Sequence, residues 1–169
     1  MIRRVRDMTA IREMKKEDCK SVIDIFNHYV GQSFAAFPEE KIPYTFFEEV
    51  FLKSQGYPRI VAENQEGNVV GFALLRPHNP IPAFRGTGEI TYFIKPDMTG
   101  RGLGTLMLKY LLEEARSRGI KNILAAISSI NKDSIRFHSR HGFEECGRFT
   151  GIGLKKGINF DVIWMQLIL

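Results

Sequence analysis

Lys95-Pro96-Asp97-Met98-Thr99-Gly100-Arg101-Gly102-Leu103-Gly104-Thr105 joins a run that reads as a strand, Ile90-Thr91-Tyr92-Phe93-Ile94, to one that reads as a long helix. The strand is rich in β-branched and aromatic residues, and Pro96 stops it. The helix carries Leu103, Leu106, Met107, Tyr110, Leu111 and Ala115 on one face and ends at Gly119. Alternate glycines at 100, 102 and 104 leave the turn bare of Cβ atoms, so several N–H groups can converge on one anion with the positive end of the helix dipole behind them. The turn reads as a phosphate or pyrophosphate cradle; the plain alternative is a flexible turn at a glycine-tolerant helix start. A Walker loop needs a lysine after its last glycine, and none follows Gly104. A dinucleotide fingerprint needs Gly-x-Gly-x-x-Gly, whereas the spacing is Gly-x-Gly-x-Gly, and the next strand ends Ala126-Ile127-Ser128 without a ribose-binding acid. Protein-kinase glycine loops lie between two strands, but this one opens a helix.

Upstream, residues 10–14 alternate apolar and polar as a half-buried strand does. A helix follows, with Asp18 as N-cap, Val22, Ile25, Phe26, Tyr29 and Val30 on its apolar face, and Gly31 to close it. Thr45-Phe46-Phe47-Glu48 reads as a capping box for a second helix that Gly56 and Pro58 end. Ile60-Val61-Ala62 and Val69 to Leu75 read as a hairpin about an Asn64-to-Asn68 turn. Residues 76–88, with three prolines and two glycines, read as a long loop, and such loops in compact domains are usually functional. Downstream come a buried strand at Ile123 to Ile127, a short helix from about Lys132 to Gly142, and strands near Glu145 to Ile152 and Asp161 to Leu167. The order implies an α/β chain, a mixed sheet with helices on both faces.

The 169 residues, 44% hydrophobic and 25% charged, suit one compact domain able to bury a core without staples. Cys19 and Cys146 read as reduced, buried small hydrophobes of a reducing compartment, so a cytoplasmic location is expected. The basic start, Met1 to Asp7, leads into no apolar stretch of signal-peptide length. Nor is Val69 to Leu75, the longest apolar run, near the ~18–20 residues that crossing a bilayer needs. The net charge of +5 fits a phosphate-rich small ligand better than nucleic acid. No block of five like charges, zinc-finger spacing or RNP-type motif occurs.

Thr99-Gly100-Arg101-Gly102-Leu103-Gly104 resembles the Gln/Arg-x-x-Gly-x-Gly/Ala motif of the GNAT superfamily of N-acetyltransferases. Asn131 to Phe143 resembles that superfamily's next helix. Asn27-His28-Tyr29, Glu89-Ile90-Thr91-Tyr92, His138 and Gly157 to Val162 look like the phosphinothricin acetyltransferase group. The resemblance covers essentially residues 1–169, as a single N-acetyltransferase domain. It implies a central, mixed, mostly antiparallel, splayed sheet flanked by about four helices. It also implies acetyl-CoA as cosubstrate, held by Gly100, Arg101, Gly102, Leu103, Gly104, Thr105, Asn131 and Ser134, with the backbone of Tyr92, Phe93 and Ile94 taking the pantetheine arm and polarising the thioester carbonyl. Thr99 departs from the usual Gln or Arg, which removes one side-chain contact and spares the amides. Dimerisation is common in such families, so a homodimer is expected on resemblance alone.

Acetylating an amine requires a deprotonated nitrogen, and alkyl amines titrate near ~10, so a base must be poised in the site. Glu89, which opens an otherwise apolar strand and matches the group's glutamate, is the candidate; burial is expected to raise its pKa. His138 lies four residues after Ser134, on the same helix face, and by resemblance takes the place of the superfamily's tyrosine acid near the thiol; an imidazole there donates to sulfur or shares base duty. Both compete with plain alternatives, a solvated acid and a core histidine. Asn131 reads as a helix cap. His28, Tyr29, Arg76 and Arg85 are the candidate acceptor-binding residues, the arginines toward an acceptor carboxylate, although Tyr29 also fits the apolar stripe of its helix. Arg101, Lys132, Arg136 and Arg140 are expected near the phosphates. His138 and His141 lack further ligands at recognisable spacing, so no metal is expected. The acceptor expected is a small amino-acid-like amine of the phosphinothricin, methionine sulfone or methionine sulfoximine type. Its rivals are a protein N-terminus or another amine and, in a different class, a coenzyme A-binding module, which would need neither Glu89 nor His138.

Overall fold

The computed structural model describes residues 8–169, so the basic stretch Met1 to Asp7 lies outside it. Seven strands form one sheet in the order β1-β2-β3-β4-β5-β7-β6. They are β1 (Met8–Glu13), β2 (Arg59–Asn64), β3 (Val69–Pro77), β4 (Thr87–Ile94), β5 (Asn122–Ser128), β6 (Glu144–Lys155) and β7 (Ile158–Ile168). Four α-helices flank it: α1 (Cys19–Gln32), α2 (Phe46–Lys53), α3 (Leu103–Ser117) and α4 (Lys132–Arg140).

Every residue of β3 from Val69 to Leu75 is buried, because the strand is covered on both faces. Ile60, Ala62, Val70, Ala73 and Leu75 pack with Leu103, Met107, Leu111 and Ala115 of α3. Val61, Phe72 and Leu74 pack with Val22, Ile23 and Ile25 of α1 and Phe47 of α2. Alternate residues therefore serve two cores, and the phase steps by one beside Val70, where the β2–β3 register shifts.

Five of the six strand pairings are antiparallel; β4 and β5 are parallel. β4 pairs with β3 from Gly71↔Ile94 to Pro77↔Gly88, but with β5 over Thr87↔Asn122, Gly88↔Ile123 and Glu89↔Leu124 alone. Past Glu89 the two strands part, while β5 stays with β7 as far as Ser128↔Val162. The splayed, mostly antiparallel sheet with four helices is the architecture expected.

Local chemistry differs in several places. Asp18 does not cap α1: its carboxylate accepts from the Lys15 amide at 2.7 Å and from Arg12 at 2.8 Å, so the local competitor wins. The capping box at Thr45 does not form, since Thr45 is itself helical and the amides of Phe46, Phe47 and Glu48 bond back to the carbonyls of Pro43, Tyr44 and Thr45. Gly31 lies within α1, which ends when the Ser33 amide meets the Tyr29 carbonyl at 3.0 Å. The long loop is shorter than expected, because β3 runs on to Pro77 and β4 starts at Thr87, which puts Glu89 inside a strand. Cys19 is half-buried and Cys146 exposed, both free, so neither is the buried hydrophobe expected. The last two strands reach a tight hairpin at Lys156-Gly157, where both residues take positive φ, +51° and +74°, as a type I′ turn demands.

Candidate active site

A cavity of about 1780 Å³ fills the gap where β4 and β5 separate and extends under α1 and α2. Along one wall, Ile90 to Ile94 are bonded to β3 on one edge and have left β5 on the other, so main-chain groups of alternate residues face the cleft unpaired by the sheet.

The three glycines of the turn divide two jobs. Gly100 and Gly102 have φ of +71° and +86°, which only glycine adopts cheaply. Gly104 is needed for closeness: a Cβ there would lie 3.3 Å from a ring carbon of Phe137 and 3.5 Å from Cδ1 of Ile94. Gly102 is the N-cap of α3 and offers no side chain, so the first amides of the helix meet the cleft uncapped. Thr99 donates its hydroxyl to the Pro96 carbonyl at 2.8 Å, back into its own turn. The Thr105 hydroxyl meets His141 Nε2 at 3.1 Å; His141 Nδ1 bonds the Phe137 carbonyl at 2.7 Å and must carry the proton there, so Thr105 is the donor. Gly100, Gly102, Gly104, Thr105, Asn131 and Ser134 line the cleft, as do Lys132, Arg136 and Arg140; Arg101 and Leu103 do not. Leu103 is buried in the core, so its contribution is confined to its amide. These features suit a diphosphate: open amides at a helix start, a cradle that a Cβ would fill, and cations along its rim.

Asn131 caps α4, accepting from the Ser134 amide at 3.2 Å. One turn on, His138 is 2% exposed and ringed by Tyr92, Phe137 and Phe143. That burial pushes its pKa down from 6.5 to about 4, so the ring is neutral near pH 7. Its Nδ1 lies 2.8 Å from the Ser134 carbonyl, which only an N–H can satisfy, and Nε2 is thereby an acceptor. The Tyr92 hydroxyl sits 3.5 Å from the ring. Burial raises the Tyr92 pKa and keeps the phenol protonated.

Glu89, 9% exposed, lines the same cleft farther in. Both carboxylate oxygens are occupied: Oε2 accepts from Arg76, its cross-strand partner on β3, and Oε1 from His78 Nδ1 at 2.8 Å. Arg76 also lines the cleft. His78 does not; its ring lies against Phe84 and Trp164 behind Glu89.

Of the other acceptor candidates, Tyr29 lines the cleft and forms an aromatic wall with Phe26 and Phe93. His28 faces a separate, smaller hollow beside Asn27 and Tyr44, and Arg85 is exposed away from the cleft. Sequence reasoning missed three features. His78 sat in a segment read as loop. The Tyr92 hydroxyl was hidden behind its backbone role. Lys155, which no local pattern singles out, is 1% exposed, and its Nζ donates to the carbonyls of Val30, Ser33 and Ala36 at 2.8, 2.8 and 2.7 Å. It thereby holds from behind the segment 33–38, which lines the cleft. Among the described residues no group of three His, Cys, Asp or Glu is placed to hold a metal ion, and no helix is long and apolar enough to cross a membrane.

The profile of the acetyltransferase (GNAT) family matches residues 10–143. The chain is 36% identical over 160 residues to the L-methionine sulfoximine/L-methionine sulfone acetyltransferase of Pseudomonas paraeruginosa, covering 94% of this chain and 93% of that one. Among solved structures it superposes with a TM-score of 0.90 on a phosphinothricin acetyltransferase from Sinorhizobium meliloti in complex with acetyl-CoA (27% identity, 96% and 89% coverage). It superposes at 0.88 on a ribosomal-protein-alanine N-acetyltransferase from Brucella melitensis (33% identity, 95% and 100% coverage).

Proposed function

The chain belongs to the acetyltransferase (GNAT) family, and from that premise we propose that it moves an acetyl group from acetyl-CoA to the amine of a small amino-acid-like acceptor of the methionine sulfone, methionine sulfoximine or phosphinothricin type. The observation that carries this reading is the alignment, along one cleft, of open helix-start amides, the free edge of β4 and the Glu89–Arg76 pair. Acetyl-CoA supplies the activated acyl group; as the C–N bond forms, the C–S bond breaks, and the second proton that the nitrogen sheds on becoming an amide goes to the departing sulfur, which leaves as the thiol. The chain's own groups do the rest. Gly100 to Thr105 grip the diphosphate through main-chain amides, while Lys132, Arg136 and Arg140 supply countercharge. The edge of Tyr92, Phe93 and Ile94 lays out the pantetheine arm. Glu89 takes a proton from the acceptor ammonium, and His138 Nε2 is a second acceptor for protons inside the cleft. The Tyr92 phenol, protonated, lies 3.5 Å from His138 Nε2. Arg76 pairs with the acceptor's carboxylate, and Phe26, Tyr29 and Phe93 wall its apolar part.

A second copy of the chain is the natural cover for β6, an edge strand exposing Phe149, Ile152 and Leu154, and a homodimer in the cytoplasm is the state we propose. Light scattering on the pure protein checks this; a monomer at all concentrations overturns it.

The test is thiol release with acetyl-CoA against methionine sulfone, methionine sulfoximine, phosphinothricin and peptides beginning with alanine. Turnover on the first three is expected. Turnover on the peptides alone transfers the activity to protein N-termini, and heat with coenzyme A but turnover on none makes the chain a binding module. Glu89→Gln is expected to lower kcat by about 10²-fold or more, the usual worth of a general base.

A further inference from the structure

A carboxylate held by a cation is a poorer proton acceptor than a free one, and Glu89 already accepts from Arg76 on Oε2 and from His78 on Oε1. The two donors differ in freedom. His78 lies edge-on to Phe84 and Trp164, with ring centroids 6.2 and 6.0 Å away, and does not line the cleft. Arg76 reaches Glu89 from the cleft itself, on a long side chain that is 51% exposed against 12% for the carboxylate. Of the two, Arg76 is the donor that would move into the space the acceptor enters. A guanidinium and a carboxylate form a forked pair wherever both are available, so an acceptor carrying a carboxylate competes with Glu89 for the same cation.

We propose that Arg76 is an acceptor-operated brake on Glu89. In the free enzyme Arg76 occupies Oε2. An acceptor with a carboxylate beside its amine draws the guanidinium onto itself, and Oε2 is then free to take one proton from the neighbouring ammonium. His78 keeps Oε1 and fixes the carboxylate plane while the exchange occurs. The amine is left with its lone pair and the carboxylate with the proton, so charge and protons balance: the guanidinium changes anionic partner without changing its own charge. Selectivity for amino-acid-like acceptors is thus exercised on kcat as well as on KM, since an amine without a carboxylate binds in a site whose base stays engaged. This rests on the assignment of Glu89 as base.

The experiment compares methionine sulfone with 3-(methylsulfonyl)propylamine, the same molecule without its carboxylate, at saturating acetyl-CoA. In the wild type, kcat for methionine sulfone is expected to exceed that for the amine by about tenfold or more, a share of what general-base catalysis contributes. Adding propionate, a detached carboxylate, is expected to raise kcat for the amine. In Arg76→Gln the brake is gone: kcat for the amine rises, the ratio between the two acceptors collapses toward one, and propionate has no effect, while KM for methionine sulfone increases. The proposal is overturned if Arg76→Gln lowers kcat for both acceptors alike, which would make Arg76 a support for Glu89, or if the wild-type ratio is near one. Absence of propionate stimulation in the wild type also overturns it, and that arm needs no variant to fold. Glu89→Gln run in parallel separates the two readings: if it leaves kcat unchanged on both acceptors, the base assignment has failed, whereas a collapse of kcat together with an unchanged acceptor ratio in Arg76→Gln fails the brake alone.

Discussion

The Tyr29 hydroxyl donates to the carbonyl of Ile94 across 2.5 Å, tying the last turn of α1 to the last residue of β4. The bond joins the aromatic wall of the cleft to the strand edge beside it, with Phe93 and Phe26 packed around it. Tyr29→Phe keeps the ring and strands the carbonyl, which costs about 1 kcal/mol of stability, the usual net worth of such a bond. Urea unfolding checks this. KM for acetyl-CoA is expected to rise as the end of β4 loosens.

Gly104→Val is expected to raise the Kd for coenzyme A by about tenfold or more, since side-chain atoms are forced against Phe137 and Ile94 where packing leaves no room. Gly100→Ala meets nothing within 4 Å but is strained by its φ of +71°. It should lose about 1 kcal/mol of stability. Calorimetric titration with coenzyme A and thermal unfolding of both variants separate the two effects.

Burial of His138 makes the fold sensitive to acid. Its pKa is near 4 in the folded chain against an ordinary 6.5, so between those values the unfolded chain binds the extra proton and stability falls as pH falls. The full loss is about 3 kcal/mol, complete just below pH 4. Urea midpoints from pH 7 to 4 should decline in the wild type and decline less in His138→Phe. Identical slopes would mean that the ring finds water before it titrates.

Lys155→Met removes the ammonium that bonds three carbonyls, those of Val30, Ser33 and Ala36. Leaving such groups without a partner costs about 1–3 kcal/mol each, offset in part by no longer burying an ammonium, whose pKa desolvation already lowers. Segment 33–38 then loses its anchor. Faster amide exchange there, together with a higher KM for the acceptor and an unchanged KM for acetyl-CoA, is the expected pattern.

The elements were legible because their periods are strong: the all-apolar run of β3 and the stripe of α3 admit few other readings. The glycine turn and the cap of α4 were legible too, since glycine spacing and an asparagine cap are local chemistry that the chain writes within a few residues. Helix starts misled where a rival partner stood close by, as Arg12 does for Asp18. On the acceptor side the letters fell short because its contacts are long-range. Nothing near Arg76 in sequence says that Glu89 faces it across two strands, and nothing near Lys155 says that its ammonium will end a helix more than a hundred residues earlier.

In the function proposed above, the parting of β4 from β5 leaves peptide groups, which every residue carries, to lay out the pantetheine arm, while side chains on the opposite wall hold the acceptor. Drift in side-chain identity therefore threatens the two tasks unequally. A lineage built on this scaffold can exchange its acceptor by replacing a few aromatic and charged residues, with its acyl donor untouched, and chains sharing about a third of their residues can keep one thioester and serve quite different amines.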